Sequence, residues 1–408
     1  MKKIITLLFL LLTVTLYVKA QTYIDTTGGR YWNEIFSNVT VTSNITYGQN
    51  TTVSGTNQVL KLDVYQPTGD TVMMRPLLVL AHGGSFIGGS KTDQDVVSLC
   101  NHFAKMGYVC TSLDYRLGMG FPIDSIHAAK AVLRAVQDMK AAVRFFRQDA
   151  ATVNTYHIHP DYVFAGGSSA GAFTALHMAY MDSAEVPAYV GLAGMGGIEG
   201  NSGNPGYASN VKAVINLCGA LGDSSWLNTG DIPFVSMHGT NDGTVPYGSA
   251  IIVVLFQPIL EVDGSSSLKI RADNIGVNNP FYSWPGADHV PYAGTSATAL
   301  AYMDTTLNFV KAFLRPFFGI PPTGIAENES NVLNIYPNPA TDEINFSFSK
   351  NNFEPVKVLI SDVTGKTIDA FNINSSQFKY KNKSLKPGVY FVKITSGKKE
   401  TIKKLVIQ

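Results

Sequence analysis

One serine in the chain stands in a setting that suits a nucleophile. The run Gly167–Gly171, which reads Gly-Ser-Ser-Ala-Gly, lies between the strand-like apolar run Tyr162–Ala165 and the helical stretch Ala172–Tyr180. A serine at the turn between a strand and a helix is held in a strained backbone that exposes its hydroxyl. Ser168 is the competing serine, but only Ser169 occupies the central position of this G-x-S-x-G pattern. We therefore predict Ser169 as the nucleophile of an acyl-transfer reaction.

A serine nucleophile needs a base, and the base needs an acid that orients it. Where the serine sits on such a turn, its partners follow in the order acid, then histidine. Asp242 lies 73 positions after Ser169 (242 − 169), and His289, the last histidine, lies 47 positions after Asp242 (289 − 242). We predict Asp242 as the acid and His289 as the base. Asp223 and Asp288 are the rival acids, but Asp288 is too close in sequence to His289 to support it across the ring.

A glycine-rich turn, His82–Gly89, directly follows the apolar run Pro76–Ala81. Backbone amides of such a turn can stabilise the oxyanion of a tetrahedral intermediate without reorganising. A phosphate-binding loop is the alternative, but the turn lacks the Gly-Lys-Ser/Thr ending of that motif. We expect His82 to orient this turn through hydrogen bonds rather than to act as the base.

The elements that must position these groups alternate between apolar runs and helical stretches. Ala128–Gln148 carries apolar residues at three- and four-residue steps and predicts one long helix. This alternation predicts an α/β fold with a mostly parallel sheet covered on both faces, and ligands at the carboxyl ends of its strands. We further predict an antiparallel edge hairpin at residues 59–65 and a helix at Ile251–Leu260. The glycine-rich segment Ala188–Asn210 is expected to be either a mobile loop near the site or a rigid array of turns.

Several other residues flank these motifs. Candidates for substrate binding beside the loops are Ser85, Phe86, Tyr115 and Trp284, with Trp226 as a further aromatic. For the aromatic residues, ordinary core packing is the alternative. Other histidines fall in helical stretches, where packing or solvent exposure is expected: His102, His127 and His177.

Three cysteines, Cys100, Cys110 and Cys218, cannot all pair, and their spacing matches no zinc or redox motif. A bond between Cys100 and Cys110 and simple core packing both stay open. No metal ion and no organic cofactor is expected.

The two ends of the chain indicate export. Lys2 and Lys3 precede the apolar run Ile4–Leu12, and Val18–Ala20 offers small residues for a signal peptidase, so residues 1–20 are predicted to be a signal peptide. The apolar run is shorter than the ~20 residues of a membrane span. The full 408-residue chain carries a formal net charge of +1, which makes nucleic acid an improbable partner.

The C-terminal part differs from the rest in composition and in the spacing of its apolar residues. Residues 319–332 are turn-rich and polar and predict a linker. Residues 333–408 alternate apolar and polar positions with period two between turn residues, which predicts a small all-β sandwich. Residues 331–408 hold 12 Lys and 6 acidic residues. The body and this tail are therefore read as two modules.

The tail resembles a known sorting domain. Its Asn334–Ala340 run, its Leu385–Val392 run and its lysine-rich last strand resemble the C-terminal sorting domain of the type IX secretion system of Bacteroidetes. The resemblance implies passage through the periplasm of a Gram-negative bacterium, recognition by the type IX machinery, and a secreted or cell-surface product. A carbohydrate-binding sandwich is the alternative, but this segment has no Trp for a binding face.

The body, residues 21–318, is the predicted catalytic domain, and its residues 60–318 resemble an α/β-hydrolase of the carboxylesterase or feruloyl/acetyl-xylan-esterase-like kind. The matching motifs are His82–Phe86, Asp114–Arg116, Val136–Asp138, Ala141–Phe145, Gly166–Gly171 and His238–Pro246. The resemblance implies that Ser169, Asp242 and His289 are the catalytic residues. It also implies an oxyanion hole from the amides of Gly83 or Gly84 and of Ala170, with Asp114 and Arg116 in a buried polar pairing under the site.

The resemblance further implies a secreted serine ester hydrolase that works through an acyl-enzyme. Acyl esters of polysaccharides are the first expectation for its substrate, with other small or polymeric esters open. The alternatives are a serine peptidase of the same fold and a catalytically silent surface adhesion protein.

Overall fold

The computed structural model describes residues 24–319, 333–348, 355–382, 385–396 and 399–408. The predicted signal peptide and nearly all of the predicted linker lie outside the described residues. The chain divides into two compact units, residues 1–321 and 322–408, which are described separately. Within the described residues, no helix is both long and apolar enough to cross a bilayer.

The first unit is built on one eight-stranded sheet. Its strands are β1 (Val39–Thr51), β2 (Asn57–Pro67), β3 (Arg75–Ala81), β4 (Val109–Leu113), β5 (Ile158–Ser168), β6 (Val214–Leu217), β8 (Phe234–Gly239) and β11 (Phe281–Trp284). They run in the order β1-β2-β4-β3-β5-β6-β8-β11. The pairs β1/β2 and β2/β4 are antiparallel, and all the following pairs are parallel. The predicted mostly parallel sheet with an antiparallel edge is confirmed.

Helices cover both faces of this sheet, and they are α1 (Gln94–Lys105), α2 (Ser125–Ala151), α3 (Ala170–Tyr180), α4 (Ser265–Ile275) and α5 (Ala297–Leu314). The side chains of β3 alternate between the two faces, as strand geometry requires. Leu77 and Val79 join the core under α2 and α3, whereas Leu78 and Leu80 join the core under α1 and α5. A strand buried on both faces explains why β3 reads as a continuous apolar run.

The prediction of a helix at Ile251–Leu260 is wrong. This segment forms the antiparallel hairpin of β9 (Ser249–Val254) and β10 (Gln257–Gly264), and β10 also pairs with β7 (Ala220–Leu221). Its β-branched run at 251–254 favours strand over helix. The two residues at the hairpin tip, Leu255 and Phe256, have φ of 47° and 65°, as a two-residue turn with matching twist requires.

The glycine-rich segment 188–210 is fastened to α2. The Gln137 side-chain amide donates to the carbonyl oxygens of Met195 and Gly197 at 2.8 and 2.7 Å. The Arg144 guanidinium donates to the Gly203 carbonyl and to the Glu199 carboxylate at 3.0 and 2.8 Å. Of the two expectations for this segment, these contacts support the rigid array of turns.

The second unit consists of two antiparallel sheets. One contains β12 (Leu333–Tyr336), β13 (Glu343–Phe348) and β16 (Gln377–Lys381), and the other contains β15 (Thr367–Ile373), β14 (Val356–Asp362), β17 (Gly388–Ser396) and β18 (Lys399–Ile407). Their shared core includes Phe346, Ile360 and Val392, each no more than 1% exposed. The prediction of a small C-terminal all-β sandwich is confirmed.

Candidate active site

Ser169 lies on the sharp turn between β5 and α3. Its φ and ψ are 53° and −119°, a conformation in the left-handed half of the map that costs a non-glycine residue free energy. The turn can be this tight because Gly167 and Gly171 lie against the end of β3. A Cβ added to either glycine would come within 2.4 and 2.0 Å of the Ala81 carbonyl oxygen. The close backbone approach therefore requires glycine on both sides of the serine.

His289 and Asp242 meet Ser169 from two neighbouring loops. Asp242 follows β8 and His289 follows β11, and because these strands are adjacent and parallel, both loops leave the same edge of the sheet. His289 Nε2 lies 2.8 Å from Ser169 Oγ, and His289 Nδ1 lies 2.6 Å from Asp242 Oδ2. The structure thus joins the three residues singled out in the sequence into one hydrogen-bonded chain.

Four groups contact the Asp242 carboxylate, two backbone amides and two imidazoles. Oδ1 accepts the backbone amides of Thr244 and Val245 at 2.9 and 2.8 Å, and Oδ2 lies 3.0 Å from His238 Nε2 as well as near His289. Burial alone would raise the pKa of Asp242. The hydrogen bonds from His238, His289 and Val245 outweigh it and hold the pKa far below its usual range. Asp242 is therefore ionised at neutral pH.

A second buried layer lies behind Asp242. His238 Nε2 faces only acceptors, Asp242 Oδ2 and the Val245 carbonyl at 3.2 Å, so Nε2 carries the proton. His238 Nδ1 is then the acceptor for the Ser265 hydroxyl at 2.8 Å, and Ser265 Oγ accepts from the Asn216 side-chain amide at 3.1 Å. All three side chains are fully buried. The sequence indicates His238 only as part of the His238–Pro246 motif and does not single out Ser265 or Asn216.

The two rival acids bond to backbone amides and not to the imidazole. Asp288 Oδ1 accepts the backbone amides of Gly243 and His289 at 3.0 and 2.7 Å, so Asp288 braces the loops rather than the imidazole. Asp223 is exposed and accepts the amide of Ser225 at 2.7 Å. Neither carboxylate is bonded to the imidazole of His289.

The glycine-rich turn after β3 lies directly beside the serine. A Cβ added to Gly83 would meet Ser169 Cβ at 3.2 Å, and Gly84 has a φ of 105° with the Gly88 carbonyl 2.2 Å from its added Cβ. In the described residues, the backbone amides of Gly83, Gly84 and Ala170 have no backbone acceptor. These amides lie where an oxyanion hole needs donors, at the turn and at the N-terminus of α3.

His82 braces this turn from below. Its Nδ1 donates to the Gly83 carbonyl at 2.6 Å, and its ring stacks on Tyr115 with centroids 4.4 Å apart. The Tyr115 hydroxyl donates to the His82 carbonyl at 3.0 Å. Burial lowers the pKa of His82, so the ring is neutral.

The four residues considered for substrate binding divide into two pairs. Ser85 and Phe86 line the cavity in front of Ser169. Tyr115 is 1% exposed and supports the glycine-rich turn, and Trp284 is 2% exposed because it packs against other aromatic rings. The structure therefore places Tyr115 and Trp284 in the core rather than along the cavity.

Arg116 does form a buried polar pair, but its partner is not Asp114. Arg116 pairs with Asp138 of α2, with Nη2 2.9 Å from Oδ1. Asp114 instead accepts the Lys91 backbone amide at 2.7 Å. The partner of Arg116 comes from another element because α2 packs under the loop that follows β4.

A cavity of about 320 Å³ opens in front of Ser169. Its walls come from α2, α3, the β9–β10 hairpin and the loops between them, and they are mostly apolar. The lining includes Phe86, Phe173, His177, Trp226, Val254 and Ile259. The hairpin that replaced the predicted helix thus forms one wall of the cavity.

Cys218, Asp242 and His289 offer possible metal-ligand atoms that all lie within 4.8 Å of one another. Burial raises the pKa of the Cys218 thiol to about 12, so the thiolate that binds metals is scarce at neutral pH. The carboxylate and the imidazole are already bonded to each other. The cluster therefore suits hydrogen bonding better than metal binding. All three cysteines are free and buried, so Cys100 and Cys110 are not bonded.

Two segments of the chain match known protein families. Residues 62–222 match the family model BD-FAE, and residues 334–408 match the model described as the secretion system C-terminal sorting domain. A search of curated proteins found no match.

Many solved structures are similar to the chain. Esterase 2 of Thermogutta terrifontis phosphorylated by paraoxon has 22% identity and a TM-score of 0.50, covering 71% of this chain and 97% of its own. The same esterase phosphoramylated by tabun has 22% identity and a TM-score of 0.51, with 71% and 98% covered. Its propionate-bound form has 21% identity and a TM-score of 0.50, with 69% and 96% covered. At this identity the likeness shows the fold.

The two matched segments lie in different units of the structure. The first contains the strand, turn and helix that carry Ser169, and the second contains the antiparallel sheets of the tail. The chain therefore combines an α/β-hydrolase fold, in which residues 62–222 match BD-FAE, with a C-terminal secretion sorting domain that marks it as secreted or displayed at the cell surface.

Proposed function

We propose that the protein is a serine carboxylic ester hydrolase that works through an acyl-enzyme. The observation that carries this proposal is the hydrogen-bonded chain from Ser169 Oγ through His289 to Asp242, with distances of 2.8 and 2.6 Å. A hydroxyl, an imidazole and a buried carboxylate in this order form a catalytic triad, which catalyses acyl transfer on several unrelated folds.

In the proposed mechanism, His289 Nε2 takes the proton of Ser169 Oγ while Oγ attacks the ester carbonyl carbon. The amides of Gly83 or Gly84 and of Ala170 donate to the oxyanion that forms, and each such donor contributes about 10²–10³ in rate. The protonated His289 then gives its proton to the leaving alcohol, which leaves an ester of Ser169. A water molecule, deprotonated by His289, releases the acid and restores the serine.

Asp242 supports both steps in this mechanism. Its carboxylate accepts the His289 Nδ1 proton, which leaves Nε2 as the acceptor for the serine proton. It also stabilises the imidazolium that forms when His289 takes that proton. The hydrogen bonds that keep Asp242 ionised are thus part of the catalytic arrangement.

For the substrate, we propose acyl esters that meet the enzyme outside the cell, with esters on polysaccharides as the first class to test. The sorting domain supports an extracellular substrate, because a secreted enzyme meets its substrate outside the cell. Polysaccharides fit this location, since such polymers are too large to enter the cell. The apolar cavity supports an acyl group of some size. The similar structures include an esterase with bound propionate.

Replacing Ser169 with Ala tests the reaction. We expect wild type to release nitrophenol from p-nitrophenyl esters and Ser169→Ala to lose about 10⁴-fold or more in kcat, because the nucleophile is gone. Ser168→Ala is the matched control, since Ser168 bonds to the buried Tyr292 hydroxyl and should keep most of the activity. Equal nitrophenol release by wild type and Ser169→Ala would refute the proposal.

The length of the acyl chain is a second test of the cavity. We expect kcat/KM to rise from the acetyl to the octanoyl ester, by up to about fourfold per CH₂, because each buried CH₂ contributes about 0.8 kcal/mol. The measurement is kcat/KM across a p-nitrophenyl ester series below the solubility limit. Replacing Val254, on the cavity wall, with Trp should flatten the series by filling the space. A wild-type preference for acetyl would contradict the assignment of this cavity to the acyl group.

A further inference from the structure

A buried imidazole in the wall of the cavity has one ring nitrogen to which no described residue hydrogen-bonds. His177 is 5% exposed and lines the cavity. Its Nδ1 lies 2.8 Å from the Phe173 carbonyl oxygen, and because a carbonyl only accepts, Nδ1 carries the proton. Nε2 is then an acceptor, and within the described part of the chain it has no hydrogen-bond partner.

His177 remains neutral under ordinary conditions. Burial lowers its pKa to about 4, although the hydrogen bond to the Phe173 carbonyl opposes this shift. The ring is also fixed in place, since it stacks on Phe173 at 5.9 Å and meets the edge of Trp226 at 5.6 Å. The cavity therefore contains a rigid acceptor among apolar walls, and such a group loses free energy when it is desolvated without a donor.

The acceptor lies on the same face of α3 as the nucleophile. Ser169, Phe173 and His177 are four residues apart, which places them in one row along the helix. Eight residues of helix rise about 12 Å, so an acyl group attached at Ser169 and lying along Phe173 ends near His177. Phe86 contacts Phe173 from the opposite wall, with centroids 6.5 Å apart, and confines the path.

We propose that His177 is a specificity-determining residue, whose Nε2 accepts a hydrogen bond from a hydroxyl at the far end of an apolar acyl group. This proposal rests on the proposed function, because it assigns the cavity to the acyl side of an ester. The ligand chemistry is a hydroxyl donor on an otherwise apolar acyl group of medium length. A terminal ammonium is disfavoured, because it would lose its hydration against a neutral imidazole and apolar walls.

Two kinds of acyl group carry this chemistry, and matched pairs of esters distinguish them. The aliphatic pair is methyl 8-hydroxyoctanoate and methyl octanoate. The aromatic pair is methyl 3-(4-hydroxyphenyl)propanoate and methyl 3-phenylpropanoate. Within each pair only the terminal hydroxyl differs, so the ratio of the two dissociation constants reports the contact to His177.

Binding is measured by calorimetry on the Ser169→Ala variant of the full chain, which does not consume the esters. We expect the hydroxylated member of at least one pair to bind about tenfold tighter, because a site that hydrogen-bonds a ligand hydroxyl rejects the analogue without it. The pair that shows the larger ratio identifies the acyl class. Equal binding within both pairs overturns the proposal, whether or not any His177 variant folds.

Two substitutions in the Ser169→Ala background assign the preference to the ring. His177→Leu removes the acceptor and should abolish the ratio, whereas His177→Gln retains a carbonyl acceptor and should restore part of it. A ratio that survives in a folded His177→Leu variant also overturns the proposal. Hydrolysis of p-nitrophenyl esters by wild type is assayed separately: its absence refutes the proposed function, while hydrolysis without a binding preference refutes only the role of His177.

Discussion

Replacing Asp242 with Asn is expected to lower kcat by about 10⁴ while leaving the fold intact, the size of effect known for an amide at this position of a catalytic triad. The reason lies in the donors around the carboxylate. Oδ1 receives two backbone amides, from Thr244 and Val245, so the Asn carbonyl oxygen must occupy that position. The Asn amide group then replaces Oδ2 and points its protons at His289 Nδ1.

This arrangement forces the wrong tautomer on the base. His289 Nδ1 must become an acceptor, which moves the ring proton to Nε2 and leaves Ser169 without a group to take its proton. The measurement is kcat and KM on a p-nitrophenyl ester, and we expect the loss to appear in kcat. His238 meets the same amide group and must also change its tautomer, so the substitution disturbs both imidazoles.

The rival acids serve as matched controls for this prediction. Asp288→Asn retains a carbonyl oxygen for the amides of Gly243 and His289, and Asp223→Asn retains one for the amide of Ser225 at an exposed position on the cavity lining. Both variants should keep kcat within about tenfold of wild type, since neither carboxylate supports the imidazole. A loss in Asp288→Asn as large as that in Asp242→Asn would show that the acid was assigned wrongly.

The sequence was most informative where function depends on short local patterns. The turn around Ser169 could be predicted because glycine is required on both sides of a close backbone approach, and the loops of Asp242 and His289 because each follows a recognisable strand. The triad geometry itself came only from the structure, since hydrogen-bond distances depend on how β8 and β11 pair.

The misses have two physical causes, ambiguous local patterns and contacts between distant segments. The hairpin β9–β10 was predicted as a helix because a short apolar run has no decisive periodicity, and its tip, Leu255-Phe256, lacks the Gly or Asn that usually marks such a turn. His177 was read as a packing residue because its free Nε2 depends on a cavity formed by distant segments. The β-branched residues at 251–254 were the one local signal that favoured a strand.

The partner of Arg116 was missed because it lies on a distant element, helix α2. This ion pair also supports the largest predicted effect on stability. Asp138 is fully buried and accepts from the Arg116 backbone amide at 2.8 Å, from Arg116 Nε at 2.9 Å and from the Ser202 hydroxyl at 2.6 Å. The pair joins the loop after β4, helix α2 and the glycine-rich segment 188–210. Removing one partner of a buried ion pair leaves an uncompensated charge in the interior.

We expect Asp138→Ala to lower the free energy of unfolding by about 3–5 kcal/mol, because Arg116 stays buried without its counter-ion. Urea denaturation of the wild-type and variant chains measures the difference. Lys269→Ala is the control: Lys269 and Asp273 form an exposed ion pair, with side chains 37% and 54% exposed, so its loss should cost no more than about 1 kcal/mol. If Asp138→Ala were as stable as Lys269→Ala, the Arg116 charge would have to reach water, and the glycine-rich segment would not be fixed by this pair.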